Sequence, residues 1–370
     1  MQEVELYSAR AFASINSHLI QAMPLNLNRT LRLLIIAGGP SVEHEVSLAS
    51  ARRVMEAASQ IPKLEAKLLV VTKEGRWISQ ADDQNGQPDS VAVSDGSIIL
   101  PRIAPTCDVI FPLIYDWNGH GGSSQLIAEM SNLAYIGSPP LANALLIDKP
   151  AAKIFASSIG IPQVRYSSFC REDYLNDPAE ILQQFSNFVF PLFVKPSSLG
   201  SSVGITKVNS DGQLAAAIEN AMRYDRRIIV EEGVRNVREL FIAVIGNRNP
   251  QVSPVAEITF EGDFYGYDMK YTKGGSQFHM PADIPVAIAE KAQSYALQAY
   301  RLFDCVGFAR FDFFWDSKSK NLFFNEGTTN PGLTINSAFP KMVKGMGIEW
   351  VDFIADLVEI ALERRGAQGK

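Results

Sequence analysis

The apolar positions of this chain fall into short unbroken runs separated by stretches of helical spacing. Residues 31–37 form the first run and lead into Gly38-Gly39-Pro40, the pattern of a buried parallel strand entering a loop. Ser41 then precedes Glu43, His44 and Glu45, so a helix is expected here with Ser41 as its N-cap. Residues 68–72 form a second run, 73–76 a turn, and 109–113 a third run that enters the glycine-rich stretch 118–122. Residues 81–96 are polar and read as a surface excursion. Strand, helix and strand in alternation predict a doubly wound, Rossmann-like α/β domain over 29–148.

Beyond that point the alternation breaks down. A helix is expected over 149–159, stopped by Gly160 and Pro162. Strands are expected at 189–195, 203–208, 228–230, 240–245 and 255–260, with helices over 212–224, 287–303 and 342–364. This half reads as α+β, and it divides into 149–231 and 232–370. Residues 1–28, with weak helical spacing at 11–23, form an N-terminal extension.

The stretch 308–332 carries the clearest chemistry. Aromatic and branched residues run up to Trp315, a polar loop follows at 316–321, and a second apolar run starts at Leu322, which predicts a β-hairpin. Arg310 and Asp312 are two apart and share a face, while Phe311 and Phe313 fill the other. By the same alternation Phe324 and Glu326 share a face. Folding the strands over the loop brings Asp312 nearly opposite Glu326. Two readings follow: a divalent cation of the Mg²⁺ kind held by carboxylates together with substrate phosphates, or a solvated polar face with a surface ion pair to Arg310.

Other stretches are open in the same way. The loop 195–204 joins Lys195 to four serines and two glycines, so it is either a backbone cradle for an anion or a hairpin tip. Glu231 and Glu232 end a short apolar run, where the backbone can meet a purine edge or the side chains can face solvent. Glu239 is an acceptor of the kind a ribose needs. Residues 265–275 mix tyrosine, lysine and glycine without a period, as a closing loop or an ordinary surface loop would. The four histidines, His18, His44, His120 and His279, lack metal-ligand spacing and read as structural.

Composition narrows the class. The chain has 370 residues, 46% hydrophobic and 20% charged, with a net charge of −6. That balance argues against a nucleic-acid or anionic-membrane surface. Cys107, Cys170 and Cys305 are far apart in mostly apolar surroundings, as expected of reduced thiols in a cytoplasmic protein. No apolar run is long enough to span a membrane, and the acidic first residues do not resemble a secretory signal.

Several motifs occur together and in order. They are Ala37-Gly-Gly-Pro-Ser-Val-Glu-His-Glu-Val-Ser47, Lys73-Glu-Gly-Arg-Trp77, Asp148-Lys149, Val194-Lys-Pro-Ser197 with Gly200-Ser-Ser-Val-Gly204, Met269-Lys-Tyr271, Arg310-Phe-Asp312 and Asn330-Pro-Gly332. Over roughly residues 30–350 the chain thereby resembles the D-alanine–D-alanine ligases of the ATP-grasp superfamily. The resemblance implies an ATP-grasp fold behind an N-terminal pre-ATP-grasp domain. It implies an ATP-dependent carboxylate–amine ligase that joins two amino acids through an acyl phosphate, and a homodimer. Lys149, Lys195 and Ser202 would hold ATP phosphates, Glu231 and Val234 adenine, and Glu239 the ribose. Lys270, Arg310, Ser201, Tyr271 and Gly332 would serve the transfer. Asp312 and Glu326 would hold Mg²⁺, with Thr328 at a second metal position. Glu43 and Tyr115 would meet the first amino acid and Ser337 the second.

The chain also departs from that pattern. Tyr115 stands where the family carries histidine, and Gly119-His-Gly-Gly122 where it carries Gly-Glu-Asp-Gly. Leu199 replaces a glutamate that fixes the serine and tyrosine beside the first substrate, and Thr328 replaces an asparagine ligand of the second Mg²⁺. These changes imply an altered first-substrate pocket. A true D-alanine–D-alanine ligase and a nucleotide-binding homologue without activity are the two alternatives.

Overall fold

The computed structural model describes residues 29–81, 89–92, 106–115, 117–260 and 276–368. The first sheet opens with β1 (Leu31–Gly38), followed by helix α1 (His44–Ala58), β2 (Leu64–Val71), β3 (Trp77–Ala81), β4 (Asp89–Ala92) and β5 (Val109–Pro112). A short helix at Trp117–His120, helix α2 (Ser123–Met130) and β6 (Ala134–Tyr135) complete it. The strand order is β4-β3-β2-β1-β5-β6. The inner strands run parallel, and β3 and β4 form an antiparallel edge. Burial along nearly all of β1 and β5 explains why both read as unbroken apolar runs. Gly38 ends β1 at φ +97°, and a Cβ there would lie 2.1 Å from the Val71 carbonyl oxygen, so only glycine lets the loop leave so close to β2.

Two expectations fail in this sheet. Ser41 does not cap α1; the helix begins at His44 with Glu43 at the N-cap. The Ser41 hydroxyl is taken by the Tyr115 carbonyl oxygen at 2.9 Å and accepts the Glu43 N–H at 3.1 Å, so it ties a loop together. The polar stretch 81–96 contains β4, which pairs with β3.

The second sheet follows helices α3 (Pro140–Ile147) and α4 (Lys149–Ser158). Its strands are β7 (Tyr166–Cys170), β8 (Leu192–Pro196), β9 (Thr206–Val208) and β10 (Arg227–Glu232), with helix α5 (Leu214–Ala221) between β9 and β10. The order is β7-β10-β8-β9, antiparallel throughout. Asp148 caps α4 by accepting the Ala151 N–H at 2.8 Å, and Pro150 sits in the first turn.

The third sheet comprises β11 (Val237–Gly246), β12 (Gln251–Val252), β13 (Ala256–Phe260), β14 (Ser276–His279), β15 (Gly307–Asp316) and β16 (Leu322–Thr328), with helix α6 (Val286–Leu302) between β14 and β15. The order is β14-β13-β11-β15-β16, and β12 pairs with β11. The closing region 342–364 is helical, as expected. It is split between α7 (Ala338–Gly345) and α8 (Trp350–Gln368), because Gly347 adopts φ +77° and breaks the backbone.

One core joins the first and third sheets. Phe308 on β15 stacks edge-on against Phe111 of β5 at 6.2 Å and Phe353 of α8 at 5.8 Å, and lies 5.5 Å from Phe339 of α7. Ile354, Leu357 and Val358 of α8 pack into the same cluster as Ala51 and Val54 of α1. Cys107 and Cys305 are buried and Cys170 half-buried, all as free thiols. Among the described residues, no helix is long and apolar enough to cross a membrane.

Helix α8 carries titratable strain, most at Asp356. Burial, with Glu359 and Asp352 nearby, pushes Asp356 up from 3.8 to about 6. The folded protein therefore binds this proton more tightly than the unfolded chain, and its stability falls as pH rises from 3.8 to 6 and stays lower above that. Asp356→Asn should raise the melting temperature relative to the parent above pH 6 but not below pH 4. Thermal melts across that range check it; an unchanged difference at both ends contradicts it.

Candidate active site

Residues from all three sheets line a cavity of about 380 Å³, within the usual range for a small-molecule site. Glu43 and Tyr115 come from the first sheet's loops. Lys149, Lys195, Ser201, Ser202 and Glu231 come from helix α4 and the second sheet, Val234 from the link between β10 and β11, and Glu239, Arg310, Asp312, Glu326, Thr328, Gly332 and Ser337 from the third sheet and the segment after it. All of these were expected at the site. Lys270, Tyr271 and the loop 265–275 lie outside the described residues.

The hairpin places Asp312 directly across from Glu326, with Arg310 across from Thr328. The expected shared face of Phe324 and Glu326 is wrong. A bulge shifts the register so that Phe313 pairs with Phe324 while Asp312 pairs with Glu326, leaving Asn325 as the extra residue. Phe324 is thereby turned into the apolar core at 0% exposure, and Asn325 and Glu326 both reach the cavity. Strict alternation would have put Glu326 in that core. Asp312 is 5% exposed and accepts two bonds from Arg310, Nε to Oδ1 at 2.7 Å and Nη2 to Oδ2 at 2.6 Å. Such a bidentate pair neutralises the carboxylate.

Among the described residues no cluster of three or more His, Cys, Asp or Glu side chains forms a protein-only metal cage. Two opposed carboxylates beside the Asn325 amide, open to a cavity, instead offer the incomplete hard-oxygen set that suits Mg²⁺ shared with a phosphate. The residues present fit that ion.

The loop between β8 and β9 is not a loose tip. Ser201 and Ser202 hold φ values of 52° and 60°, left-handed for non-glycine residues. The loop is pinned from several sides. Lys149 Nζ donates to the Leu199 carbonyl oxygen at 2.6 Å, Ser197 Oγ to Asp148 at 2.9 Å, and Asp225 accepts the Ser198 N–H at 2.8 Å. Ser201 Oγ donates to Glu43 at 2.5 Å. Glu43, at the head of α1, thus fixes the serine, while Leu199 lines the wall and anchors Lys149 through its carbonyl oxygen. Lys149 also stands 3.7 Å from Glu326, joining the loop to the hairpin.

Glu231 is buried at 2% exposure and is not a solvated strand end. Lys195 Nζ lies 2.6 Å from one of its oxygens and Lys153 Nζ 3.0 Å from the other. Burial pushes the Glu231 carboxyl up, and the two ammonium groups outweigh it, holding it near 2. Burial pushes Lys153 down. Lys153 was not anticipated. Its signal lay in α4, where Lys149 and Lys153 sit four apart beside Ala152 and Ala156 on the inward face. Lys207 and Lys341 also line the cavity and were missed, since isolated lysines look alike in sequence.

At the other end, the Tyr115 ring stacks on His120 at 5.8 Å and 20°. His120 Nε2 meets the Asn330 carbonyl oxygen at 3.0 Å, and Asn330 Nδ2 donates to the Pro112 carbonyl oxygen at 3.3 Å. Further on, Ser50 accepts the Leu333 N–H at 3.2 Å and Arg53 donates to the Leu333 carbonyl oxygen at 3.1 Å. A Cβ at Gly332 would lie 2.9 Å from Ser337 Oγ, so these two line the cavity in near contact.

Comparison with known proteins accords with this geometry. The family described as D-ala D-ala ligase N-terminus matches residues 32–138, and the D-ala D-ala ligase C-terminus matches 155–359. The chain is 39% identical over 337 residues to a D-alanine--D-alanine ligase of Deinococcus radiodurans, covering 90% of this chain and 99% of the relative. It is 34% identical to one of Enterococcus faecalis over 349 residues, covering 90% and 99%. Among solved structures, the D-Ala:D-Ser ligase VanG of Enterococcus faecalis superposes with a TM-score of 0.79 at 32% identity, covering 90% of this chain and all of that one. The D-alanine-D-alanine ligase of Coxiella burnetii gives 0.76 at 26% identity, covering 92% and 96%. The chain belongs to the D-alanine–D-alanine ligase family and is an ATP-grasp ligase that forms a peptide bond.

Proposed function

We propose that the protein joins two D-amino acids for peptidoglycan synthesis, with D-alanine in the second position and a first-substrate pocket reshaped by Tyr115 and His120. The observation that carries the reading is the Asp312–Glu326 pair facing one cavity with Arg310, Lys149 and Lys195. The 39% identity to a named D-alanine--D-alanine ligase supports the substrate class. The stacked Tyr115–His120 pair supports the altered pocket. Residues 29–148, 149–231 and 232–370 act as the units that close on the substrates, in a homodimer.

A carboxylate is a poor electrophile, so the first amino acid is phosphorylated by ATP and the amine of the second then displaces phosphate. Asp312 and Glu326 would hold Mg²⁺, which would supply charge neutralisation at the transferring phosphate. Lys149, Lys195 and Ser202 bind the nucleotide phosphates, with Val234 and Glu231 at the adenine and Glu239 at the ribose. Glu43 takes the ammonium of the first amino acid while accepting from Ser201, which fixes that substrate against the loop. Arg310 stabilises charge in the transition state, and the Gly332 N–H meets the oxyanion. Ser337 receives the carboxylate of the second amino acid. Lys270 and Tyr271, in the stretch 265–275, serve the transfer, and the acyl phosphate has to be kept from water.

Incubation with ATP, Mg²⁺ and pools of D- and L-amino acids, read by phosphate release and product mass, tests the reading. A D,D-dipeptide whose first residue is not alanine is expected. Dipeptide from D-alanine alone, at a rate no other pool exceeds, would remove the altered pocket and leave an ordinary family member. Folded protein that binds ATP but releases no phosphate with any pool would sink the ligase reading.

A further inference from the structure

Lys153 takes no part in the mechanism above, yet it is the most deeply buried cation at the site. Its side chain is 0% exposed and does not line the cavity. A buried ammonium needs full pairing, and this one has two partners drawn from two sheets. It stands 3.0 Å from Glu231 on β10 and donates to the Phe324 carbonyl oxygen on β16 at 3.3 Å. Glu231 thereby holds two lysines, with Lys195 at 2.6 Å on its other oxygen.

The count of charges decides what this does. Two lysines and one glutamate carry a net +1. With Lys153 present, Glu231 stays neutralised when Lys195 turns toward an anion, so the excess charge belongs to Lys195 at the cavity wall. Without Lys153, Lys195 would be the sole counter-charge of a carboxylate that is 2% exposed. Pulling it away would leave that carboxylate buried and unpaired, which is costly.

We propose that Lys153 is a positioning residue for nucleotide binding, which keeps Glu231 neutralised and so releases Lys195 to the anionic ligand. The inference rests on the nucleotide site proposed above. It assigns Lys153 an effect through Lys195, with no contact to the nucleotide.

Calorimetric titration of the full chain with Mg²⁺ and a non-hydrolysable ATP analogue tests it. Lys153→Met should fold, since Glu231 and Lys195 remain a neutral pair, and should bind the analogue about tenfold or more weakly, the cost of losing roughly one paired charge. The double variant Lys153→Met/Glu231→Gln frees Lys195 again; because Glu231 also meets the adenine, both variants are titrated with inorganic triphosphate as well, which carries no adenine and which the double variant should bind within about threefold of the parent and the single variant about tenfold or more weakly. This rescue is the result that a purely structural role would not produce. Parent-like binding by Lys153→Met overturns the proposal, as does a double variant that binds triphosphate as weakly as the single one. If Lys153→Met does not fold, the double variant carries the test by the same criterion, and failure of both to fold overturns the proposal in favour of a structural strut. A parent that binds no analogue overturns this inference together with the nucleotide site, whereas the outcomes above overturn this inference alone.

Discussion

Asp312→Asn should lower the rate of ATP-dependent ligation on the order of 10³-fold, equivalent to about 4 kcal/mol of transition-state stabilisation. The variant keeps the shape of the side chain and an oxygen that can accept from Arg310. It loses the charge that faces Glu326 across the hairpin. With only one carboxylate left, the metal position falls to the lower end of the one or two carboxylates that hold Mg²⁺ beside a phosphate, and Arg310 loses its bidentate partner. The fold should be little affected, because the Asp312 carboxylate faces the cavity rather than the aromatic layer on the other side of β15. Steady-state rates over a range of Mg²⁺ concentrations check this. The variant should also need more Mg²⁺ for half-maximal activity. A variant within about threefold of the parent at every Mg²⁺ concentration would remove Asp312 from the chemistry.

Phe308→Ala should have the opposite profile, costing about 3–5 kcal/mol of stability. The ring is 1% exposed and touches aromatic rings from β5, α7 and α8. Its removal opens a cavity where four elements of different units meet, and rings held from three sides cannot collapse together to refill it. The loss therefore combines apolar transfer with cavity formation. Urea unfolding gives the number directly, and a shift under about 1 kcal/mol would show that the surrounding rings relax into the space. Residual activity measured well below the unfolding transition should stay near that of the parent, since Phe308 lies outside the cavity lining.

Much of this architecture is legible in the residues, and the reasons are local. The hairpin around Asp312 is visible because two-residue alternation and a polar loop are properties of neighbouring positions. The inner strands β1 and β5 are visible because burial on both faces leaves unbroken apolar runs. The family resemblance supplies the rest of the site, and each transferred position that the structure describes lines one cavity. What the residues conceal depends on pairing. The bulge at Asn325 inverts the face of every residue before it, and nothing in Phe324-Asn325-Glu326 announces which residue is extra. Ser41 looks like a helix cap until the Tyr115 carbonyl claims its hydroxyl. Lys153 resembles any helical lysine, because its partners lie on β10 and β16, each more than seventy positions away in the chain.

The clasp on residues 330–334 bears on how the protein is made. Ser50, Arg53, Pro112 and His120, all near the start of the chain, hold a segment more than 200 positions later. A polypeptide leaving the ribosome completes its first sheet long before that segment exists. The cavity therefore cannot form on a partly synthesised chain, even though the loop 195–204 is already present. Closure of such distant contacts is slow and comes late. Nascent fragments that end before Gly332 are accordingly expected to turn over no nucleotide.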